Sequence, residues 1–283
     1  NYIVAYGGMG SKATLYYQTL ITNTDYAPYI RCRFIEIDTG AAEEFDVDEL
    51  IVLQAPMHDL ITAMMKDSDA FPELRERLGN LNRLYQSLRG TNDDSTGAQQ
   101  DREVGVTNAH HSIQHQRTSL EAKLIAPLHE LYRYDSQSCV AGNWAAGKHN
   151  FPQPLYQTHV SSICGGTGAG TILDMSYLNL HTTRDIRNYM SQAILMLPSA
   201  FPEVDDPQPL RANALATLRD LMVPYQKPMG PLNYGKGGGI VKREQPPFMI
   251  IYLIEGRNAN DHRFESSDHV AQMVAYGMKL LTT

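Results

Sequence analysis

The sequence predicts an α/β fold with a doubly wound, mostly parallel sheet that carries helices on both faces. Short apolar runs rich in β-branched residues alternate along the chain with segments whose apolar residues recur at helical spacing. Glycine-rich or polar turns follow several of the apolar runs. Such alternation is typical of parallel sheets, in which ligand-binding loops gather at the carboxyl ends of the strands.

The first unit is a strand, a glycine turn and a helix. Residues 2–6 (YIVAY) predict a strand, and residues 13–20 have helical spacing. The turn between them, residues 7–10 (GGMG), half-matches the dinucleotide fingerprint G-x-G-x-x-G, with Ala13 at its last position. Lys12 either meets a phosphate or lies solvated on the helix.

The second strand, residues 31–39, ends in an acid and a hydroxyl group. The Asp38 carboxylate could contact a ribose or hold a metal-bound water, and a turn-capping role explains it equally well. Residues 50–53 predict a short strand. Helices are predicted over 58–65 and over 71–88, the second with leucines along one face.

A polar loop and a long helix follow. The loop, residues 89–100, contains Gly97-Ala98-Gln99, which we interpret either as a second phosphate contact or as a plain solvent-exposed loop. Residues 107–131 predict one long helix. His111 and His115 lie four residues apart on it, a spacing that can bind a metal ion, but no acid or third ligand is placed to help. We therefore predict solvated histidines and no metal site.

The stretch at residues 163–171 (ICGGTGAGT) lies between a strand at 156–163 and a helix that extends to residue 182. Four glycines in six residues let successive main-chain N–H groups approach one ligand, and the helix N-terminus adds its positive dipole end. A phosphate chain suits such a nest, so we expect a β-branched residue at Gly168 to fill the phosphate's space. The alternative is a tight turn whose glycines serve only packing. No lysine follows the last glycine, so the stretch is not a Walker loop.

The remaining chain continues the alternation. A strand at 192–197 precedes a proline-rich, acidic loop, and a helix at 210–221 follows. Residues 237–239 are three glycines without the flanking elements that a phosphate turn needs, so we predict a flexible hairpin or loop. The most apolar strand, 248–254, ends before a polar turn, and Ser267-Asp268 cap a final helix.

Composition limits the possible function classes. The 283 residues carry a formal net charge of −7, which argues against unspecific nucleic-acid binding. Three cysteines without a spacing motif fit a reducing, cytoplasmic setting. No stretch approaches the roughly 20 apolar residues of a membrane span, and no signal peptide is visible.

These loops, in this order, give the chain a family resemblance. Residues 165–171 (GGTGAGT) resemble the signature loop G-G-T-G-[SAT]-G of the tubulin/FtsZ superfamily. Further similarity to the bacterial tubulin-like proteins lies in residues 7–10 (GGMG), 97–102 (GAQQDR), 197–201 (LPSAF) and 211–214 (RANA). The signature loop is specific, whereas the other pieces are individually modest.

The resemblance implies a GTP-binding domain over residues 1–283 that ends in or just after the family's central helix, with any second, activation domain outside this chain. It implies GTP or GDP as the cofactor, with Mg as an optional companion ion. One candidate nucleotide contact, Asp38, comes from its position at a strand end, and the resemblance implies the others. The full set is Gly8, Met9, Gly10, Asp38, Gly97, Ala98, Gln99, Gly165, Gly166, Thr167, Gly168, Ala169, Gly170, Thr171, Glu203, Asn213 and Asn258.

The resemblance also divides these roles. The two glycine loops and residues 97–99 would meet the phosphates. Glu203, together with Asn213 or Arg211, would approach the ribose. Asn258, or its rival Asn260, would hydrogen-bond the guanine, because a side-chain amide offers both a donor and an acceptor. Either Phe264 or Tyr276 would stack on the base.

Activity and assembly follow from the same resemblance. Family members hydrolyse GTP with acids on a loop after the central helix, and that loop reaches the nucleotide of the next subunit. We therefore expect a GTPase that assembles head to tail into filaments, with catalytic residues outside residues 1–283. The alternatives are a GTP- or GDP-binding module without turnover and, more distantly, an NAD(P)-dependent oxidoreductase that uses residues 7–10 and Asp38.

Overall fold

The computed structural model describes residues 1–37, 48–67, 69–88, 98, 100–138, 155–184, 186, 189–227 and 229–282, with the backbone alone for residues 132–138. Three of the predicted site residues, Asp38, Gly97 and Gln99, lie outside the described residues.

A parallel sheet forms the centre of the molecule, as predicted. Its six strands lie in the order β3-β2-β1-β4-β5-β8, and every neighbouring pair is parallel. A two-stranded antiparallel hairpin, β6-β7, lies apart from it. The strands are β1 (Tyr2–Tyr6), β2 (Arg31–Glu36), β3 (Leu50–Val52), β4 (Leu155–Ser162), β5 (Tyr189–Met196), β6 (Leu232–Asn233), β7 (Ile240–Val241) and β8 (Ile250–Ile254).

Helices cover both faces of the sheet, so the doubly wound prediction is confirmed. One face packs against α2, α5, α6 and α7, and the other packs against α1 and α9. Alternate residues of β1 feed the two cores, since successive strand side chains point to opposite faces. The helices are α1 (Gly7–Ile21), α2 (Met57–Lys66), α3 (Pro72–Arg75), α4 (Leu81–Leu88), α5 (Arg102–Ser138), α6 (Gly166–Thr183), α7 (Gln208–Gln226), α8 (Gly235–Gly238) and α9 (Ser267–Thr282).

Several helix boundaries that we predicted from the sequence are wrong. Helices α1 and α6 begin within their glycine turns, at Gly7 and Gly166, and not after them. Glycine lowers helix propensity, but packing of the first turn against neighbouring backbone outweighs that preference here. The segment predicted as one helix over 71–88 forms two short helices, α3 and α4. One helix was predicted because the leucine spacing continues across the break, which contains Gly79. Helix α5 is longer than predicted and leaves helical geometry at Gln116, where φ is −132°.

The glycine segment predicted as a hairpin or loop is a hairpin that packs against this break in α5. A Cβ atom at Gly237 would lie 2.4 Å from the Gln114 carbonyl oxygen, and one at Gly238 would lie 2.8 Å from the Gln114 Cα atom. The Arg117 guanidinium donates to the Gly238 carbonyl oxygen at 2.6 Å. The glycines therefore allow close contact between the hairpin and the helix, a role that local sequence does not reveal.

A buried ion pair joins α6 to the segment after α3. The Arg77 guanidinium donates two hydrogen bonds to the Asp174 carboxylate, at 2.7 and 2.6 Å, and the Tyr234 hydroxyl donates a third at 2.5 Å. Burial alone would raise the pKa of Asp174, but the Arg77 charge and these hydrogen bonds hold that pKa below its ordinary value. The carboxylate is therefore charged and fully paired inside the protein.

The most apolar predicted strand, β8, lies at the edge of the sheet. Its side chains are only partly covered, and Ile250 and Leu253 are 42% and 49% exposed. Within the described ranges, no helix combines the length and hydropathy needed to cross a membrane.

Candidate functional site

Two helix N-termini meet at the carboxyl ends of the neighbouring strands β1 and β4. Each strand leads within a few residues into a helix, β1 into α1 and β4 into α6. Gly7, which has a φ of +65°, lies so close to α6 that a Cβ atom there would be 3.1 Å from the Gly168 nitrogen and 3.1 Å from the Thr167 Cβ atom. The first turns of the two helices are thus in contact.

Neither helix neutralises its own N-terminus. The residues that precede the helices, Tyr6 and Gly165, make no side-chain capping hydrogen bond, and neither first turn contains an acid. The first N–H groups of a helix have no partner within the helix, and they carry the positive end of its dipole. Two such ends, side by side, form a site for an anion with several oxygen atoms.

A cleft of about 210 Å³ opens over these first turns. One wall consists of the two glycine turns, another of Ala98 and Gln100, and the third of apolar side chains that follow β5. The residues lining the cleft are Tyr6, Gly7, Gly8, Met9, Ala98, Gln100, Ser162, Gly165, Gly166, Thr167, Gly168, Phe201, Val204 and Leu210.

The glycines of the signature loop have two different roles. A Cβ atom at Gly165 would meet nothing within 4 Å, and the same holds for Gly8 in the first turn. A Cβ atom at Gly166 would lie 2.6 Å from the Ala98 carbonyl oxygen, and one at Gly170 would lie 2.5 Å from the Gly105 Cα atom. Packing against α5 and the segment before it therefore explains two of the four glycines, as the packing alternative proposed.

Gly168 also serves packing, and our expectation for its substitution was wrong. A Cβ atom there would lie 2.2 Å from the Ser162 carbonyl oxygen and 2.5 Å from the Ser161 hydroxyl oxygen. A side chain at Gly168 would thus collide with the end of β4 before it reached a phosphate. Among the glycines that line the cleft, Gly8 and Gly165 are the two at which a new Cβ atom would meet no neighbouring atom within 4 Å.

Four predicted contacts lie behind the cleft and not in its lining. Gly10 packs on β4, since a Cβ atom there would be 2.3 Å from the Val160 carbonyl oxygen. Ala169, Gly170 and Thr171 are buried in α6. The Thr171 hydroxyl donates to the Thr167 carbonyl oxygen at 2.8 Å, so it is engaged within the helix.

Tyr6 lines the cleft, and a buried, uncharged histidine, His159, lies behind it. The Tyr6 hydroxyl and Nδ1 of His159 lie 2.6 Å apart, and the two rings stack with centroids at 5.7 Å. Burial lowers the pKa of His159 to about 3 and raises that of Tyr6 well above its usual value. Both side chains are therefore neutral at pH 7 and add no charge beneath the helix N-termini.

Asn213 connects three segments beside the cleft. Its side-chain amide donates to the Gln100 carbonyl oxygen at 2.6 Å and to the Cys164 carbonyl oxygen at 2.8 Å. Gln100 has a φ of +63°, which this bond helps to hold. In this structure, Asn213 of α7 therefore positions both loops that border the cleft.

Among the residues predicted for the ribose and base, Glu203 lies at the N-terminus of α9. The Glu203 carboxylate accepts hydrogen bonds from the Ser267 main-chain N–H group and hydroxyl. Lys12 is exposed on α1 and pairs there with Asp268 at 2.6 Å, so the solvated alternative describes it and the phosphate contact does not. Asn258 is exposed, and its side-chain oxygen accepts from the main-chain N–H groups of Asn260 and His262 at 2.9 and 3.1 Å.

The cleft supplies binding groups but no acid or base. Its described lining residues include no carboxylate, imidazole, ammonium or guanidinium group. In the part of the chain that the structure describes, no three His, Cys, Asp or Glu side chains are grouped to hold a metal ion. The arrangement can therefore bind and orient an anion, whereas proton transfer would need groups from elsewhere.

Sequence reasoning missed several residues that line the cleft. Tyr6 and Ser162 are the last residues of β1 and β4, and their position at strand ends before glycine turns was an available signal. Phe201, Val204 and Leu210 come from the loop after β5 and from α7, and their convergence depends on the tertiary fold.

Comparison with known proteins relates this architecture to one family. A family model described as "Tubulin like" matches residues 31–283. CetZ2 from Haloferax volcanii, solved as a GTPγS-bound protofilament, aligns with a TM-score of 0.52 at 13% identity over 99% of this chain and 57% of that chain. TubZ of Clostridium botulinum phage c-st, truncated at its C-terminal tail, aligns with a TM-score of 0.53 at 12% identity over 99% of this chain and 59% of that chain.

A third solved structure, CetZ from Methanosaeta thermophila strain DSM 6194, aligns with a TM-score of 0.51 at 11% identity over 99% of this chain and 53% of that chain. The chain thus spans less than two thirds of the length of these neighbours. No curated protein matches the sequence. At such low identities the neighbours establish the fold, whereas the family model covers most of the chain itself. The chain belongs to the tubulin-like family.

Proposed function

We propose that the cleft binds GTP or GDP through the main-chain N–H groups of the first turns of α1 and α6. The observation that carries this proposal is the contact between two helix N-termini with neither a capping side chain nor an acid in their first turns. A di- or triphosphate offers oxygen atoms along a chain, so it can accept hydrogen bonds from both turns at once.

The remaining candidate residues fit the same proposal. Neutral side chains at and behind the cleft, together with the open side of Gly8 and Gly165, leave the N-terminal charge available to phosphates. Met9, Ala98 and Thr167 line the cleft next to these positions. The N–H groups would supply most of the attraction, because the described lining contains no cationic side chain.

For the ribose and base, the proposal places the nucleotide toward the loop after β5 and the N-terminus of α9. Glu203 accepts a hydrogen bond at the N-terminus of α9, and both Glu203 and Asn258 are exposed. The side-chain oxygen of Asn258 already accepts two main-chain hydrogen bonds within its turn. The side-chain NH₂ group of Asn258 would therefore donate to guanine. Its rival, Asn260, donates its main-chain N–H group to this turn.

We include filament assembly and GTP hydrolysis in the proposal. Support comes from the family membership and from CetZ2, a structural neighbour solved as a GTPγS-bound protofilament. Since the described cleft lining holds no acid or base, turnover would need a group from outside the cleft, such as one from the next subunit. A head-to-tail contact that does not close produces a filament.

Mg would bind chiefly through the phosphates. The cysteine count leads us to propose a cytoplasmic location, and the resemblance to the bacterial tubulin-like proteins leads us to propose a bacterial source.

One observation favours a second candidate, a binding module without turnover. The described lining offers main-chain donors and apolar side chains but no catalytic group. The oxidoreductase alternative has less support, because it uses only the first glycine turn whereas both turns line the cleft.

A competition experiment tests the ligand. A fluorescent GTP analogue bound to the purified protein would be displaced with unlabelled GTP, GDP, ATP and NADH. We expect GTP and GDP to compete best, and better competition by NADH would refute the assignment.

Gly165→Val should weaken GTP binding about 10-fold or more, since loss of one charged hydrogen bond costs about 1.5–3 kcal/mol. Gly277→Val is the control, because Gly277 has open space around its Cβ position and lies in α9.

A second experiment separates the two candidates. The protein would be incubated with GTP, GDP or GTPγS, and assembly would be followed by light scattering and pelleting alongside phosphate release. GTP-dependent assembly with phosphate release supports the filament GTPase. Tight GTP binding without assembly or phosphate release at any protein concentration supports the binding module.

A further inference from the structure

Two histidines of α5 lie together on the side of the molecule where α5 meets the segment before α2. His111 and His115 are one turn apart, and their ring centroids are 4.4 Å from each other. They occupy the last turn before α5 leaves helical geometry at Gln116. His111 is half-buried and His115 is exposed, so the pair is open to solvent on one side.

The main chain fixes the orientation of one of these rings. Nδ1 of His111 lies 3.0 Å from the Gln54 carbonyl oxygen. A carbonyl oxygen only accepts hydrogen bonds, so Nδ1 carries the proton and Nε2 keeps its lone pair. The Ser112 hydroxyl donates to the same oxygen at 3.2 Å and accepts from the Gln54 N–H group at 3.0 Å. The main-chain N–H and carbonyl groups of Gln54 are thus both hydrogen-bonded to α5.

This arrangement is the one that metal-binding histidines commonly have. A ligating imidazole usually donates its second ring N–H group to a carbonyl or carboxylate, which sets the tautomer and orients the ring. Because Nδ1 of His111 donates to the Gln54 carbonyl oxygen, Nε2 is the ring nitrogen that would ligate.

Against our expectation from the sequence that these histidines are only solvated, we propose that the imidazoles of His111 and His115 bind a divalent transition-metal ion, Zn²⁺. Two histidines at positions i and i+4 on one helix face are a recurrent zinc-ligand spacing. Within the described residues, no third His, Cys, Asp or Glu joins the pair. The ion therefore keeps coordination positions for water or another ligand. This inference does not depend on nucleotide binding in the cleft.

A Zn²⁺ titration by calorimetry on untagged, nucleotide-free protein tests the proposal. Wild-type protein would be compared with His115→Ala and with the control His129→Ala, which changes an exposed histidine farther along α5. We expect His115→Ala to weaken Zn²⁺ binding about 10-fold or more, and His129→Ala to leave it unchanged. Equal Zn²⁺ affinity in the wild type and His115→Ala would overturn the proposal, as would the absence of Zn²⁺ binding by the wild type.

A spectroscopic measurement identifies the ligands directly. In long-range ¹H–¹⁵N spectra of the imidazoles, Zn²⁺ should shift Nε2 of His111 and leave its Nδ1 protonated. Mg²⁺, which prefers oxygen ligands, should shift neither ring. If His115→Ala proves unstable, His115→Gln replaces it in the titration. Zn²⁺-dependent shifts confined to other histidines would refute the assignment.

Discussion

Gly168→Ala should destabilise the protein more than Gly165→Ala, although the two glycines belong to the same signature loop. At Gly168 the new Cβ atom would lie 2.2 Å from the Ser162 carbonyl oxygen, more than 1 Å inside an ordinary contact. Overpacking typically costs about 1–3 kcal/mol, and the fixed backbone of β4 favours the upper end. Replacing a helical glycine returns about 1 kcal/mol. The expected net cost is therefore about 2 kcal/mol.

Gly165 differs in both space and conformation. It precedes α6 with φ of −82° and ψ of 166°, which any residue can adopt, and its Cβ position is open. Alanine is a poorer N-cap than glycine by about 0.5–1 kcal/mol, and the less flexible unfolded chain offsets about the same amount. We expect a change within about 0.5 kcal/mol.

Urea unfolding of the two variants and the wild type, followed by circular dichroism, measures this difference. The free energy of unfolding should fall for Gly168→Ala and stay near the wild-type value for Gly165→Ala. Equal costs, or a larger cost at Gly165, would contradict the division of the glycines into packing and cleft positions.

Two further predictions concern buried polar groups. Asp174→Asn should lower the free energy of unfolding by about 3 kcal/mol, because it leaves the Arg77 guanidinium without its carboxylate partner. Urea titrations measure this cost, and a value below about 1 kcal/mol would contradict the prediction. Lowering the pH from 6.5 toward 3 should destabilise the protein, because the unfolded chain takes up a proton at His159 that the folded chain, with a His159 pKa of about 3, does not. This one site contributes a slope of up to about 1.4 kcal/mol per pH unit, so an unchanged slope in His159→Gln would contradict the prediction.

Local patterns were sufficient for the sheet and for the position of the glycine turns. Strands such as β1 and β4 are short and apolar and are followed by glycines, so their type and order could be predicted from neighbouring residues alone. The helix starts could not be predicted in this way. The low helix propensity of glycine argues against a helix at the first turns of α1 and α6, whereas tertiary contacts hold those turns helical.

The roles of individual residues depend on partners distant in sequence. Whether a glycine faces a ligand or a neighbouring backbone depends on the direction of its absent Cβ atom, which only the fold determines. Asp174 pairs with Arg77 across 97 positions, and Tyr6 contacts His159 across 153 positions. The sequence separates these partners, and no local pattern connects them.

Amide chemical-shift mapping tests the central claim most directly. In ¹H–¹⁵N spectra of the full chain titrated with GTP, we predict the largest changes at Gly8 and Met9 of α1 and at Gly165–Gly168 before and within α6. Gly165→Val should reduce these changes at equal GTP concentration. If saturating GTP left both turns unchanged, or shifted residues far from them, main-chain binding of phosphates between the two helix N-termini would be contradicted.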